Sequence, residues 1–220
     1  MRGSWFSAMG MLLFAAVLSA CTQTNYRSMS ASKEGETPLS RDVYYEVSDA
    51  FYAAPPNCVF VLPPVGTTPP PALAEMVEQA LALRFSQKTS RVIGPRERRA
   101  IERDLALDTR GAMDRRHFAR TEHCPTYLEW HLTAASDSNF LVWSRKEIGL
   151  EVRLAWAEDD TTLWQAAHTT SRSDGGLPLS LLSLPIAAAE AAVFSQDRDQ
   201  LPSMIDDVVR RLVVTVPSLQ

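Results

Sequence analysis

The sequence predicts one α/β (α+β) domain with a mixed sheet of about five strands. A continuous apolar run over residues 59–62 is followed by helical spacing from Pro71, which indicates a β-α-β-α opening. Apolar and polar residues then alternate in several segments between residues 127 and 170, which is typical of an antiparallel meander. The chain ends in apolar and amphipathic stretches, which predict C-terminal helices packed on one face of the sheet.

The opening elements are predicted from residue type and spacing. The run Val59-Phe60-Val61-Leu62 is bounded by prolines and predicts a buried strand. From Pro71 a helix is expected, with Leu83 among its inward positions and Glu78 on its solvent side. Residues 90–95, "SRVIGP", predict a short second strand, and "RERRAIERDLAL" predicts a charged helix. Before these elements, "DVYYEVSDAFYAAPPN" at 42–57 predicts an ordered arm on the domain edge.

The later elements follow a period of two and then a helical period. The segments "TYLEWHLTA", "FLVWS", "IGLEVRLAWA" and "LWQAAHTTS" predict three or four strands, with a turn at "SDSN", residues 136–139. The tryptophans of this meander are expected in the core. Residues 177–196 predict a helix from near Pro185, and "LPSMIDDVVRRLVVTV" predicts a last helix with Met204, Ile205, Val208 and Leu212 inward.

Residues 1–20 have the layout of a lipoprotein signal peptide. Arg2 precedes an apolar stretch from Ala8 to Leu18, which is shorter than the about 20 residues of a membrane span. The stretch ends Leu18-Ser19-Ala20-Cys21, which resembles a lipobox. We therefore expect cleavage before Cys21 and its modification by diacylglycerol and an N-acyl chain such as palmitate, which together can anchor the protein to a membrane.

Residue 22 is Thr rather than Asp, which by the usual sorting pattern favours the outer membrane, with the domain in the periplasm, over the inner one. Residues 21–40 are polar without apolar periodicity and predict a flexible tether of roughly 25 Å, ahead of a single domain at 41–220. Of the 22 basic residues only Arg2 lies in 1–20, so 21 basic and 26 acidic residues remain. This negative balance argues against a nucleic-acid partner.

Three cysteines are present, and acylation of Cys21 would leave Cys58 and Cys124. In an exported protein these two cysteines can form a disulfide, because the compartment is oxidising. The cysteine count alone leaves a disulfide and two buried free thiols as alternatives.

No catalytic, metal or cofactor site is predicted. The four histidines have no spacing typical of metal ligands, and adjacent His123 and Cys124 would point to opposite sides of an extended chain. Asp159-Asp160 is expected in a hairpin turn, and the run 96–99, "RERR", on a solvated helix face. The loop after residue 62 has one glycine, Gly66, among prolines that lack N–H groups, so it cannot form a phosphate cradle. We therefore expect a protein that is not an enzyme.

The apolar segment at 177–194 offers a candidate interaction surface, although a helix that covers the sheet explains it as well. The candidate positions are Leu179, Leu181, Leu182 and Leu184.

The segments "CVFVLPP", "RVIGPRERRAIERDL", "TYLEWHLTA" and "IGLEVRLAWAEDDTTLWQ", spanning roughly 57–170, carry a resemblance. Their order resembles the small α/β domain shared by curli-secretion-channel lipoproteins, the N-terminal domain of the Tol-Pal translocation protein, penicillin-binding-protein activators and Neisseria-type surface lipoproteins. The resemblance implies an anchored, non-catalytic interaction or assembly module of the cell envelope, with unidentified envelope partners and possible homo-oligomers. The order of segments also resembles the auxiliary lipoprotein of ABC-type lipid transport systems. This second resemblance implies an alternative function as an auxiliary component of such a transport system.

The resemblance also bears on the cysteines. In a sheet whose first strand lies between the second and third in parallel, Cys58 and Cys124 precede neighbouring strands at one edge. Neighbouring strands are about 4.8 Å apart, so the implied fold favours a bridge between these two residues.

Overall fold

A computed structural model describes residues 24–29, 42–66, 68–140, 143–174 and 200–218. Within these ranges one sheet carries helices on its faces. The elements are β1 (Asn25–Ser28), β2 (Asp42–Val47), α1 (Asp49–Ala53), β3 (Cys58–Val61), α2 (Pro71–Phe85), β4 (Arg91–Ile93), α3 (Pro95–Leu105), α4 (Ala112–Thr121), β5 (Thr126–Phe140), β6 (Trp143–Trp156), β7 (Thr162–Asp174) and α5 (Gln200–Val214).

The sheet has the order β1-β2-β7-β6-β5-β3-β4. β3 pairs in parallel with both β4 and β5, and β5, β6 and β7 form an antiparallel meander. The predicted fold class is confirmed. The described sheet has seven strands rather than about five, because β2 pairs with β7 and β1 pairs in parallel with β2.

Both additional strands lie in the segment before the first predicted strand. β2 and α1 form the ordered arm that the tyrosine-rich sequence predicts. β1 is a departure, because its four residues fall inside the predicted tether. An edge strand is held mainly by backbone pairing and needs no apolar pattern, so composition gave no signal for it. An ion pair of 3.2 Å between Arg27 and Asp42 adds to the pairing.

The meander is longer than its sequence pattern predicts. The expected turn at 136–139 lies inside β5, whose backbone stays paired with β6 as far as Phe140 opposite Trp143. Turn-forming residue types are here overridden by a neighbouring strand, as happens when pairing decides conformation. Three strands of 15, 14 and 13 residues therefore replace the shorter strands expected.

The alternation of β3 divides the core between the two faces of the sheet. Val59 and Val61 face a main cluster that includes buried residues of α2 and α5, together with Trp130 and Trp164. Cys58, Phe60 and Leu62 face a second cluster, to which α4 contributes its buried residues. β3, which has a parallel neighbour on each side, is thus covered on both faces, as buried parallel strands usually are. Trp130 and Trp164 are fully buried, as predicted.

The helices match the sequence pattern in part. α5 buries Met204, Ile205, Val208 and Leu212 as predicted. α2 buries Leu81 and Phe85, whereas Leu83 is 60% exposed, so that predicted inward position is wrong. α4 was not predicted, because its apolar contribution is limited to Phe118 and Ala119 in a charged sequence. The helix predicted from near Pro185 lies outside the described residues.

Candidate functional site

The amino ends of β3 and β5 bring the two cysteines together. Cys58 begins β3, and Cys124 stands two residues before β5. Because the strands are parallel neighbours, paired from Val59 with Thr126, both cysteines lie at one edge of the sheet. They form a disulfide with a Cα–Cα distance of 5.0 Å, and both are buried. The Thr126 hydroxyl donates to the carbonyl oxygen of Cys58. Cys124 is therefore not a free thiol that His123 could activate.

A cavity of about 400 Å³ opens beside this disulfide edge. His123, on its wall, has a φ of 52°, in the left-handed region. Arg120 and Glu158 are exposed, so its strongest charges are solvated rather than enclosed. The cavity is lined by Asn57, Ala119, Arg120, His123, Pro125, Trp156, Ala157 and Glu158.

The opposite end of β3 holds a buried cluster of charges. Arg98 of α3 donates from Nη1 to the carbonyl oxygen of Val61, and its Nη2 lies 3.1 Å from Oε2 of Glu78 on α2. Its Nε lies 3.6 Å from Oε2 of Glu102. Thr109 donates its hydroxyl to Glu102. The cluster joins α2, α3 and the end of β3.

Burial perturbs both members of the central pair in this cluster. Desolvation raises the pKa of Glu78, and the charges of Arg98 and Arg99 oppose that change. Desolvation lowers the pKa of Arg98, and Glu78 and Glu102 oppose it. A guanidinium stays protonated in proteins, so the cluster holds a buried positive charge between two carboxylates. We interpret it as a structural link between α2 and α3.

The crevice where a ligand would be expected is filled by the chain itself. In open α/β sheets, ligands bind at the carboxyl ends of strands where the strand order reverses, here between β3 and β5. After β3, however, Leu62 N–H donates to the carbonyl of Leu128 over 2.9 Å, and Val65 N–H donates to that of Trp130 over 3.1 Å. The Trp130 indole N–H donates to the carbonyl of Leu62 over 3.0 Å. The proline loop thus continues the pairing along β5 instead of leaving an open cradle.

On the face of the sheet that α4 covers, a polar cluster surrounds Tyr127. Arg115 of α4 lies 4.5 Å from the centre of the ring, a cation–π arrangement. Arg153 of β6 contacts Glu129 at 2.6 Å and the Tyr127 hydroxyl oxygen at 2.8 Å. Tyr127 in turn donates to Asp160. These side chains contact one another. The cluster therefore stabilises the turn after β6 rather than forming a binding site for a small ligand.

The sequence-predicted site residues fall in different places. Cys58 and Cys124 meet in the disulfide. Cys21 and the candidate surface of Leu179, Leu181, Leu182 and Leu184 lie outside the described residues. Asp159 and Asp160 form the expected turn between β6 and β7, and two hydrogen bonds from Thr161 lower the pKa of Asp159.

Two sequence expectations about charged residues are wrong. Arg98 belongs to the run expected on a solvated helix face, yet it is only 2% exposed, and Glu78, expected on the solvent side of α2, is 3% exposed. A helical pattern assigns charged residues to water because it contains no information about a partner of opposite charge on another helix. The only available signal was that Arg98 lies three residues before Ile101, on the apolar side of α3.

Among the described residues, no group of three or more His, Cys, Asp or Glu side chains could hold a metal ion. No helix within the described ranges is long and apolar enough to span a bilayer.

The fold and the disulfide edge define a mixed α/β domain in which a disulfide links the amino ends of the parallel strands β3 and β5. No family model matches the sequence, and neither does any curated protein. Among solved structures, the PelC dodecamer from Paraburkholderia phytofirmans is similar, with 13% identity, 81% of this chain and 98% of that chain covered, and a TM-score of 0.50. At this identity the similarity shows a shared fold.

Two further solved structures match more loosely. Lipoprotein GNA1162 from Neisseria meningitidis has 16% identity, covers 64% of this chain and 97% of its own, and gives a TM-score of 0.42. A minor lipoprotein from Acinetobacter baumannii has 7% identity, with 73% and 90% covered and a TM-score of 0.36.

Proposed function

We propose that this chain is an exported lipoprotein, anchored through Cys21, whose α/β domain acts by binding and assembly in the cell envelope rather than by catalysis. The observation that carries the proposal is the sequence Leu18-Ser19-Ala20-Cys21 at the end of an apolar stretch. A disulfide between Cys58 and Cys124 suits an exported protein, because the cytosol keeps thiols reduced.

Three features support a binding role over a catalytic one. The crevice between β3 and β5 is filled by the loop after Leu62, and Cys124 is held in the disulfide. The charged clusters around Arg98 and Tyr127 pair internally. The resemblance to curli-secretion and Tol-Pal domains adds support for an assembly role.

We further propose that copies of the chain associate. PelC, whose chain is almost fully covered by the shared fold, is a dodecamer in its crystal structure. If the same holds here, acylated protein in detergent will give a native mass of several copies. A native mass of one copy across a range of concentrations would refute the homo-oligomer.

The anchor is tested by expression in a Gram-negative host, with Cys21→Ser as the matched variant. This change leaves Cys58 and Cys124 untouched. Wild type should carry an acylated N-terminal cysteine by mass spectrometry and sediment with outer membranes on a density gradient. Cys21→Ser should appear in the soluble periplasmic fraction. An unmodified wild-type N-terminus, or an equal distribution of the two proteins between the fractions, would refute the lipid anchor. Wild-type protein found in inner membranes would refute only the outer-membrane location.

A further inference from the structure

Helix α4 and its flanking residues carry positive charge that the domain does not neutralise. Residues 110–123 include four arginines and two acidic residues, in a chain whose net charge is −4. Both acidic residues have other partners. Oδ2 of Asp114 accepts the backbone N–H of Asp108 over 2.9 Å, and Glu122 lies 3.2 Å from Arg91 of β4. The arginines of this segment therefore exceed the carboxylates that could pair with them.

Arg116 and Arg120 are the arginines of α4 without a carboxylate partner. No described residue forms an ion pair with either guanidinium group. Nε of Arg120 donates to the carbonyl oxygen of Arg116 over 3.3 Å, and Nε of Arg116 has no hydrogen-bond partner among the described residues. By contrast, all arginines of α2 and α5 lie 2.6–2.9 Å from a carboxylate oxygen. These two guanidinium groups can therefore pair with an anion from outside the domain.

The two arginines lead into the cavity at the disulfide edge. Arg116 and Arg120 are four residues apart, so they lie on one side of the helix, about one turn from each other. Arg120 also lines the cavity, together with His123, the half-buried Trp156 and Pro125. A row of two cations thus ends at a hollow that has an aromatic wall.

The spacing of the arginines matches an extended polypeptide. Four residues of α-helix rise about 6 Å. Alternate side chains of an extended peptide point the same way and are about 6.6 Å apart. Two acidic residues at alternate positions can therefore each reach one arginine, and a guanidinium binds a carboxylate through two parallel N–H groups. The next side chain in this series lies over the cavity.

The cavity suits one uncharged side chain of such a segment. Its volume of about 400 Å³ is at the low end of the range for ligand pockets. Trp156 offers an aromatic surface, and aromatic pairs stabilise contacts beyond the area that they bury. Glu158, on the same wall, repels a third carboxylate. The acidic residues therefore belong over α4 and the aromatic residue in the cavity.

We propose that Arg116, Arg120 and the cavity at Trp156 form a docking site for an extended acidic segment of a partner protein, with acidic residues at alternate positions followed by an aromatic one. This inference rests on the binding role in the proposed function and names the chemistry of the partner. It does not depend on the anchor at Cys21.

Isothermal titration calorimetry on the full mature chain in nonionic detergent tests the site with short peptides that are acetylated and amidated. The peptide Glu-Ser-Glu-Ser-Phe should bind. Replacing both glutamates by glutamine, or the phenylalanine by serine, should weaken binding. The peptide Ser-Glu-Glu-Ser-Phe keeps the charge and loses the alternation, so it should also bind less tightly.

Variants of the chain assign the binding to α4. Arg116→Gln and Arg120→Gln should each lower the affinity about 2- to 5-fold, the effect of an exposed ion pair. Arg96→Gln is the matched control, because Arg96 is 82% exposed and follows the carboxyl end of β4, at the opposite end of the sheet from the disulfide. Its affinity should equal that of wild type. Arg116→Glu/Arg120→Glu should lose the acidic peptide and bind Lys-Ser-Lys-Ser-Phe, a gain that misfolding cannot produce.

The contrary outcomes are distinct. Equal affinity for the glutamate and glutamine peptides, or no binding by a wild-type chain that circular dichroism shows to be folded, would overturn the inference and leave the anchor standing. Tri-galacturonate that binds more tightly than the peptide would also overturn it, because the site would then belong to an acidic glycan. An unmodified Cys21 in a chain that binds the peptide would refute the anchor and leave the docking site standing.

Discussion

The Nη2 atom of Arg98 lies 3.1 Å from the carboxylate of Glu78, and both side chains are at most 5% exposed. Removing one partner of a buried ion pair leaves an uncompensated charge and typically costs about 3–5 kcal/mol. We expect Arg98→Met to lower the free energy of unfolding by this amount in urea denaturation.

The double variant Glu78→Leu/Arg98→Met provides the control for that cost. It removes both charges and keeps apolar volume, so its loss should be smaller than that of Arg98→Met alone. Equal losses in the two variants would mean that packing around Arg98, and not its charge, holds α2 to α3.

The disulfide should make a measurable contribution to stability. Cys58 and Cys124 are 66 residues apart, and a bridge over such a loop contributes about 4 kcal/mol in the chain-entropy model. We expect Cys58→Ala/Cys124→Ala to lower the free energy of unfolding by about 2–5 kcal/mol. In the Cys21→Ser protein, denatured without reductant, alkylation should add no mass, and after reduction it should modify both cysteines. Equal masses under the two conditions would contradict the bridge.

Stability should fall below neutral pH because of His168. This side chain is 4% exposed, and its Nδ1 lies 2.8 Å from the carbonyl oxygen of Asp42. Burial lowers the pKa of His168 below its ordinary value of 6.5; the hydrogen bond to the carbonyl of Asp42 and the charges of Asp207 and Asp42 oppose this change, and Arg211 adds to it. The unfolded chain therefore binds a proton before the folded chain does as pH falls. The unfolding free energy should accordingly drop below about pH 6.5, by at most about 1.4 kcal/mol per pH unit.

His168→Asn removes this titration and should flatten the dependence between pH 7 and the folded-state pKa, as measured by urea denaturation across a pH series. His117→Asn alters an exposed histidine and serves as the matched control, which should keep the wild-type slope. A His168→Asn slope equal to that of wild type would assign the pH dependence to other groups.

Gly149 on β6 has no room for a side chain. A Cβ there would lie 2.8 Å from Oγ1 of Thr169 and would also contact Oγ1 of Thr133. We expect Gly149→Ala to destabilise the protein by about 1–3 kcal/mol, the usual cost of overpacking. In thermal unfolding, Gly149→Ala should cost less stability in a Thr133→Ala/Thr169→Ala background than it does in the wild type, because the two hydroxyls that meet the new Cβ are then absent. An equal cost in the two backgrounds would locate the strain in the backbone of β5, at Ala134.

The sequence predicts the α/β class well because its strongest signals are local. Val59 to Leu62 is buried on both faces of the sheet, and the inward positions of α5 repeat with a helical period. β1 and the outer half of β5 are different, since their residue types do not favour strands. They are extended because β1 pairs with β2 and β5 pairs with β6. Local patterns cannot contain such information.

The candidate sites show the same division. Cys58 and Cys124 could be paired because a fold hypothesis placed their strands side by side. Glu78 and Arg98 could not, since twenty residues separate them and each follows the pattern of a solvated helix face. Tyr127 likewise appeared to be only an alternating strand residue, although Arg115 of α4 and Arg153 of β6 both contact it.

The bridge between Cys58 and Cys124 also bears on how the chain matures. The unprocessed chain has three thiols, so two incorrect pairings compete with the observed one. A cysteine whose sulfur carries a thioether has no thiolate and takes no part in disulfide exchange. On the proposed function, acylation of Cys21 removes both incorrect pairings from the acylated chain. The thioether then restricts disulfide formation to Cys58 and Cys124, in addition to anchoring the chain.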